Sequence, residues 1–350
     1  VRFAFLTSTP LTVTEGSGTF VGIDNLIDGL RTRGHQVDVR PLRLRTRFHT
    51  LDRCLYNVAA AITAPRVDVV VGFDLDGFLG AGRRAPRFVA SLKGVIADEL
   101  KNERGWVRTL LSCQARWEAR NVARADRVLV PSEYSAGVVC REYGVAAGKV
   151  GVVPEAIDIE RWRRRLAEAR RRPAARPVVL AVGRMYPRKR FEDLLEAAVL
   201  LRRRIPDVEV RIVGNGPERA MLEARRLALD LHDTVRMLGD VTAGELATEY
   251  VSADCFCLPS VQEGFGIVFT EAMIAGLAIV ACRAAAVPEV VTERTGVLVS
   301  PRRPDELASA LATLLTDDRQ RKELGEGGRV RVEEFARDRV ADRFVQVAAA

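Results

Sequence analysis

Short runs of consecutive apolar residues recur from one end of the chain to the other, separated by amphipathic stretches of roughly ten to fifteen residues. VVVGF, VVLAV, CFCL and AIVAC are apolar at successive positions rather than alternate ones. That is the pattern of strands covered on both faces. Strands are predicted at 2–7, 36–40, 67–72, 87–92, 127–130 and 149–153, then at 178–183, 208–213, 234–238, 255–258, 278–282 and 297–299. Helical periodicity fills most of the gaps, and strand–helix alternation predicts parallel sheets in doubly wound α/β domains.

The strands fall into two sets. Between them, RWRRRLAEARRRPAARP (161–177) is charged, proline-containing and poor in apolar residues, and is read as the connection between two domains. With 350 residues the chain exceeds one ordinary core. The expected division is 1–160 and 161–335, with a final helix over 336–350 returning to the first domain.

Composition narrows the function. No apolar run approaches the ~20 residues of a membrane span, and the first residues, VRFAFLTSTP, read as strand and turn rather than a signal core. A soluble, cytoplasmic protein is expected. The six cysteines show no metal spacing and read as small hydrophobes. Three scattered histidines (35, 49, 232) make chemistry on a histidine base improbable. The net charge is +8, yet only five of 54 basic residues are lysine and the arginine clusters lack interleaved aromatics. Nucleic acid is therefore not the expected partner; a weak attraction to an anionic membrane surface or an acidic acceptor stays open.

In open parallel sheets, ligands bind beyond the carboxyl ends of the strands, and the unusual residues lie there. In PSVQEGFGIVFTEAMIAG, Glu263 precedes the turn Gly264–Phe265–Gly266, and Glu271 sits one to two turns into the helix that follows. The opening amides of that helix, from Phe265 through Gly266 and Ile267 to Val268, form an anion site at the positive end of the helix dipole. Flanking carboxylates accept hydrogen bonds from hydroxyls. An anion flanked by hydroxyls describes a sugar nucleotide. The plain alternative is that glutamate in a first turn merely complements the dipole.

After strand 178–183, Gly183 is followed by Arg184 and Lys189, a guanidinium fork and a point charge for phosphate oxygens. Solvated charge beside a turn is the alternative. Gly214 opens the turn GNGPE, and the backbone at Met237 and Leu238 in VRMLG is placed to pair with a base edge. In the first half, Gly16 and Gly18 precede a predicted helix, where glycine lets backbone approach a phosphate. The third glycine, Gly22, is one residue late for a dinucleotide fingerprint, so NAD binding is a poor match. Asp74 and Asp76 form an Asp-x-Asp pair at a strand end, open to acceptor binding, a hard cation or a structural turn.

Taken together, GRMYPRKRFEDLLEA, RIVGNGPE, VRMLG, PSVQEGFGIVFTEAMIAGLAIVAC and AAVPEVV resemble the retaining nucleotide-sugar glycosyltransferases of family 4. The match spans the second half, with a looser one in the first (GSG, RGHQV, RADRVLVPSEYSAGVV, VVPEAID). The resemblance implies a GT-B fold, two Rossmann-like domains facing each other across a cleft that closes for reaction. It implies hexosyl transfer to an acceptor hydroxyl with retention of configuration; the lack of a convincing metal cluster in the sequence, with Arg184 and Lys189 to neutralise a diphosphate, predicts that no metal cofactor is needed. Arg184 and Lys189 would stabilise the leaving diphosphate, Glu263 would contact the sugar and Glu271 the ribose. Gly16, Gly18 and the amides of Gly264 to Val268 would lie near the phosphates. Asp74, Asp76 and Lys93 would face the acceptor; Lys93 stands where many relatives carry histidine. A nucleotide-sugar 2-epimerase and a non-catalytic sugar-nucleotide binder are the alternatives. The base, the sugar and the acceptor stay open.

Overall fold

The computed structural model describes the chain except residues 10–12, 43–48, 63–65, 82–85, 173–175 and 350, with 13–17, 49, 62 and 349 as backbone only. The first elements are β1 (Arg2–Thr7), α1 (Val13–Thr32), β2 (Gln36–Pro41), α2 (His49–Ile62), β3 (Val69–Phe73) and β4 (Arg87–Ser91). They are followed by α3 (Ile96–Glu99), α4 (Gly105–Arg124), β5 (Arg127–Val130), α5 (Glu133–Tyr143) and β6 (Val150–Val152). Next come α6 (Ile159–Glu168), β7 (Val178–Val182), α7 (Phe191–Arg204), β8 (Glu209–Val213), α8 (Arg219–Ala228), β9 (Val235–Gly239) and α9 (Ala243–Ser252). The chain ends through β10 (Cys255–Leu258), α10 (Ile267–Ala275), β11 (Ala278–Cys282), α11 (Val287–Val290), β12 (Gly296–Val299), α12 (Pro304–Thr316), α13 (Asp318–Arg331) and α14 (Arg337–Ala349). Every predicted strand forms, displaced by at most two residues at either end.

Two compact units result, Val1–Ile157 with Phe335–Ala350, and Asp158–Glu334. The segment expected as a connection, 161–177, instead opens as α6: Asp158 caps it at the Arg161 amide, and Trp162 is buried edge-on against Tyr250, 5.5 Å between rings. Its arginines are the outer face of an amphipathic helix, which the charge run concealed.

In the first unit the strands run parallel in the order β2-β1-β3-β4-β5-β6. One face packs on α1 and α14, where Phe3 and Phe5 meet Phe344 edge-on at 5.8 and 6.0 Å. Gly29 of α1 permits that packing, since a Cβ there would come within 2.6 Å of the Arg337 carbonyl oxygen. In the second unit the order is β12-β11-β10-β7-β8-β9, also parallel. From β7 the chain winds outward to β9, then returns to β10 and winds the other way. The crevice beyond β7 and β10 is thus the topological switch point, where such sheets bind ligands. In the first unit the corresponding place lies beyond β1 and β3.

The inner strands β7, β8, β10 and β11 are buried throughout, with one departure from the apolar reading, while the edge strands β9 and β12 are partly exposed. Glu209 and Arg211 of β8 are buried as an ion pair, with Glu249 of α9 as a second carboxylate on Arg211. Cys255, Cys257 and Cys282 are buried in β10 and β11, and burial pushes the Cys255 thiol up to about 12. They act as core hydrophobes.

Candidate active site

At the second unit's switch point the chain leaves β7 through Gly183, Arg184 and the buried Met185. Met185 is fixed by its backbone: its amide donates to the Asn215 carbonyl at 2.9 Å, and its carbonyl accepts from the Glu218 amide at 3.1 Å. Gly214 and Gly216 make this contact possible. A Cβ on Gly216 would lie 2.6 Å from the Met185 nitrogen, and Gly214 has φ of 120°. Gly214, a donor-binding candidate by sequence, packs against Gly183: a Cβ on it would lie 2.2 Å from the Gly183 carbonyl oxygen. The glycine turn locks two loops together.

Beyond Met185, a single 3-10 turn (Pro187–Lys189) leads into α7 through Arg190, whose φ of 53° is held by a two-pronged pair with Asp193. Tyr186 lies under two guanidinium groups, Arg188 at 4.8 Å and Arg184 at 5.9 Å from its ring centre. The loop after β10 docks onto this turn. The Val261 amide and the Ser260 hydroxyl both donate to the Arg188 carbonyl, at 2.9 and 3.3 Å. Lys189 Nζ then meets Glu263 Oε1 at 2.5 Å, with both side chains largely buried. Two residues 74 apart in sequence are thereby joined at the switch point.

Glu263 leads into α10 through Gly266, whose φ is 93° and whose added Cβ would strike the Phe269 ring at 2.6 Å. The opening turn of α10 carries amides that have no acceptor within the helix. Glu271 lies on this helix, buried, and its Oε2 accepts from the Tyr250 hydroxyl at 2.9 Å. Burial pushes the Glu271 carboxyl up to about 7, opposed by the Tyr250 hydrogen bond and by the positive charge of Arg165. Tyr250 and Arg165, on α9 and α6, carried no legible signal in the sequence. On β9, the Met237 carbonyl is approached by Arg219 at 3.5 Å, Met237 and Leu238 are half-buried, and the Gly239 carbonyl accepts from the Gly214 amide at 2.7 Å.

The first unit presents a different picture. Gly16 and Gly18 lie inside α1, which begins at Val13, so neither forms a loop before the helix. A Cβ on Gly18 would meet open space. Part of the expected loop falls on 10–12, outside the described residues. Asp76 is buried, with its carboxylate accepting from the Ser8 amide (2.5 Å), the Ser8 hydroxyl (2.8 Å) and Asn57 Nδ2 (3.3 Å). Burial pushes it up to about 6. The structural turn is therefore the role its geometry fills: it ties the loop after β1 to the loop after β3. Asp74, at φ 53°, turns the other way and accepts from the Lys93 amide at 2.9 Å. Among the described residues, no group of three or more histidine, cysteine or acidic side chains is placed to hold a metal ion.

Lys93, beyond β4, is itself engaged. Its ammonium lies 2.7 Å from Glu155 Oε2 and 5.6 Å from the centre of the Phe73 ring, and both charged side chains are nearly inaccessible. Burial pushes the Glu155 carboxyl up against the opposing pull of Lys93. Glu155 lay in the motif VVPEAID without a role; its place just after a strand end was the available signal.

Two parallel, doubly wound six-stranded sheets make up the GT-B fold, the fold of nucleotide-sugar glycosyltransferases. Residues 163–331 match the family described as glycosyl transferases group 1, and residues 16–161 match glycosyltransferase family 4. A GDP-mannose-dependent alpha-(1-6)-phosphatidylinositol monomannoside mannosyltransferase of Mycobacterium tuberculosis is 32% identical over 318 residues, 85% of this chain and 74% of that protein. A D-inositol 3-phosphate glycosyltransferase of Saccharomonospora viridis is 33% identical over 244 residues, 66% of this chain and 57% of that one. Among solved structures, sucrose-phosphate synthase from Thermosynechococcus elongatus superposes with a TM-score of 0.80 at 21% identity, over 99% of this chain and 98% of it. WaaG, a glycosyltransferase involved in lipopolysaccharide biosynthesis, gives 0.75 at 16% identity over the whole of both chains. The chain belongs to glycosyltransferase family 4, the retaining nucleotide-sugar enzymes.

Proposed function

We propose that this enzyme moves a hexosyl group from a nucleoside diphosphate sugar to an acceptor hydroxyl, without a metal ion. The pairing of Lys189 with Glu263 at the switch point carries the reading. A lysine held there by a carboxylate is positioned for the diphosphate, while Glu263 keeps acceptor capacity for sugar hydroxyls. Arg184 adds a second cation from the same loop. As the glycosidic bond breaks, negative charge grows on the leaving diphosphate, and fixed cations stabilise it most when water is excluded. We assign the ribose to Glu271 and the sugar and phosphates to the amides of Gly264 to Val268. Acceptor contacts fall to Asp74 and Lys93 in the first unit. A guanosine diphosphate hexose is the first donor to test, because the relative covering 85% of the chain is named GDP-mannose-dependent.

The test is a thermal-shift screen of GDP-, UDP- and ADP-sugars, since a ligand that binds the folded state stabilises it by RT ln(1 + [L]/Kd). One donor should raise the melting temperature and be consumed when an acceptor is supplied. Stabilisation by none of them would overturn the reading. A donor that binds and inverts at C2 without transfer would point to an epimerase.

A further inference from the structure

Helix α4 turns a polar stripe into the first unit. Gln114, Glu118 and Asn121 recur at the spacing of one helical face, and all three are buried. The core-facing stripe of a surface helix is ordinarily apolar. Each of these side chains holds a different segment. Gln114 accepts from Arg53 and donates to the Thr50 hydroxyl at the start of α2, both at 3.0 Å. Glu118 Oε2 accepts from the Ile96 amide at 2.9 Å and from the Tyr143 hydroxyl at 2.5 Å, and the Tyr143 oxygen takes the Ala97 amide at 3.1 Å. Asn121 Nδ2 donates to the Asp74 carbonyl at 2.8 Å. The segment after Lys93 thus hangs from Glu118. The turn carrying Asp74, whose carboxylate takes the Lys93 amide, hangs from Asn121.

Two atoms in this arrangement lack a partner among the described residues, Glu118 Oε1 and Asn121 Oδ1, both buried. A buried oxygen without a hydrogen bond has lost water and gained nothing in exchange. Residues three apart on a helix are neighbours on its surface, so the two orphaned oxygens belong to adjacent side chains. Two acceptors cannot satisfy each other. A proton on Glu118 Oε1 turns one of them into a donor and satisfies both. The surroundings favour that proton. Burial pushes the Glu118 carboxyl well above the usual range, helped by the negative charges of Asp74 beyond β3 and Glu99 of α3, against the hydrogen bonds from Tyr143 and Ile96. The positive charges of Arg53 and Lys93 act on Asp74, and Lys101 is committed to Asp98 and Glu142.

We infer that Glu118 is a positioning residue for Lys93, a neutral carboxylic acid whose Oε1–H donates to Asn121 Oδ1 while its Oε2 carries the segment after Lys93. An acid suits the place because it offers a donor and an acceptor on its two oxygens. Ionised, it would leave Asn121 Oδ1 unpaired and set a negative charge beside Asp74. Its hold on Ile96 and Ala97, at the start of α3, fixes the path of the backbone as it leaves Lys93. The bearing on transfer rests on the acceptor role proposed for Lys93; the proton and the hold on the segment do not.

Three measurements on the full chain test it. Infrared spectra at pH 8, where Asp76 and Glu271 are largely ionised, should show a protonated-acid carbonyl band that Glu118→Gln lacks. The second is stability against pH. A carboxyl ionised in the unfolded chain and neutral in the fold takes up a proton on folding, so its share of stability is complete below its ordinary value and shrinks as pH rises above it. Glutamine needs no proton, and the urea midpoint of Glu118→Gln should gain on wild type from pH 5 to 8. The third is amide exchange at Ile96 and Ala97. Glu118→Ala should speed it at least tenfold, and Glu118→Gln, which keeps a donor and an acceptor in place, should leave it at the wild-type rate. Any of three results would overturn the inference: no acid band attributable to Glu118, a Glu118→Gln midpoint that falls behind wild type as pH rises, or exchange that Glu118→Ala leaves unchanged or Glu118→Gln speeds equally. None of these readouts involves donor or acceptor, so they can fail while the proposed function stands, and hold while it falls.

Discussion

The two sheets of this enzyme have the same number of strands, all parallel, yet use their switch points in opposite ways. In the second unit, loops from β7 and β10 bring Lys189 and Glu263 together, with Arg184 over the Tyr186 ring of the same loop. In the first, the loops from β1 and β3 bring Ser8 and Asp76 together, and their hydrogen bonds tie the two loops to each other. Topology creates a crevice in both. Whether it receives a ligand depends on whether the polar groups there satisfy one another. Asp76 is fully engaged inside the fold, whereas Lys189 and Glu263 keep donors and acceptors beyond the one bond they share.

The largest effect that would test this contrast is on turnover. Lys189→Ala or Arg184→Ala should lower it by about two to three orders of magnitude, the scale for losing a charge-stabilising donor. Steady-state assays on folded variants decide it, and near-wild-type turnover would remove the assigned role.

Asp76→Ala should produce the converse. Loss of a buried acceptor that serves Ser8 and Asn57 should cost about 2–3 kcal/mol of stability, read as a lower urea midpoint. Turnover of the folded fraction should stay close to wild type. A variant that is stable but inactive would place Asp76 with the substrates.

Glu271 separates binding from stability. Its carboxyl titrates near 7 in the fold, raised from 4.5. Stability from this group is complete below its unfolded value and is lost as pH climbs through about 7, a change of order 3 kcal/mol. Donor affinity should move the other way, because the ionised carboxylate is the better partner for ribose hydroxyls. Glu271→Gln should flatten the fall in stability and raise the donor Kd about tenfold. Calorimetric donor titrations at pH 6 and 8 test the affinity, and urea midpoints measured from pH 4 to 8 test the stability. A Kd that does not change with pH or substitution would move the ribose elsewhere.

The smallest expected effect is none. If Arg184 and Lys189 hold the diphosphate as proposed, activity should persist in excess EDTA. Activity abolished by EDTA and restored by Mn²⁺ or Mg²⁺ would bring Asp74 and Asp76 back as ligands.

Much of the second unit was legible because its chemistry is local. Gly264–Phe265–Gly266 and the apolar run after it declare a strand-to-turn-to-helix junction by backbone preference alone, and α10 begins at Ile267. The first unit misled where the outcome depended on partners distant in sequence. Gly16 and Gly18 read as a loop because glycine disfavours helix, yet α1 extends to Val13 and includes them. Similarly, 161–177 read as a connection because its arginines hid the one residue that decides, the buried Trp162.

What the sequence determined by itself was the order and kind of elements, the two parallel sheets and the loops that carry charge. Periodicity and turn chemistry act over a few residues, so a linear reading recovers them. Tertiary structure alone decided which charges meet. Lys189 and Glu263, Lys93 and Glu155, Ser8 and Asp76, and Tyr250 and Glu271 lie 74, 62, 68 and 21 residues apart. It also decided that α4 buries Gln114, Glu118 and Asn121. A side chain's burial and its hydrogen-bond partner are properties of the packed sheet, and no local pattern encodes them.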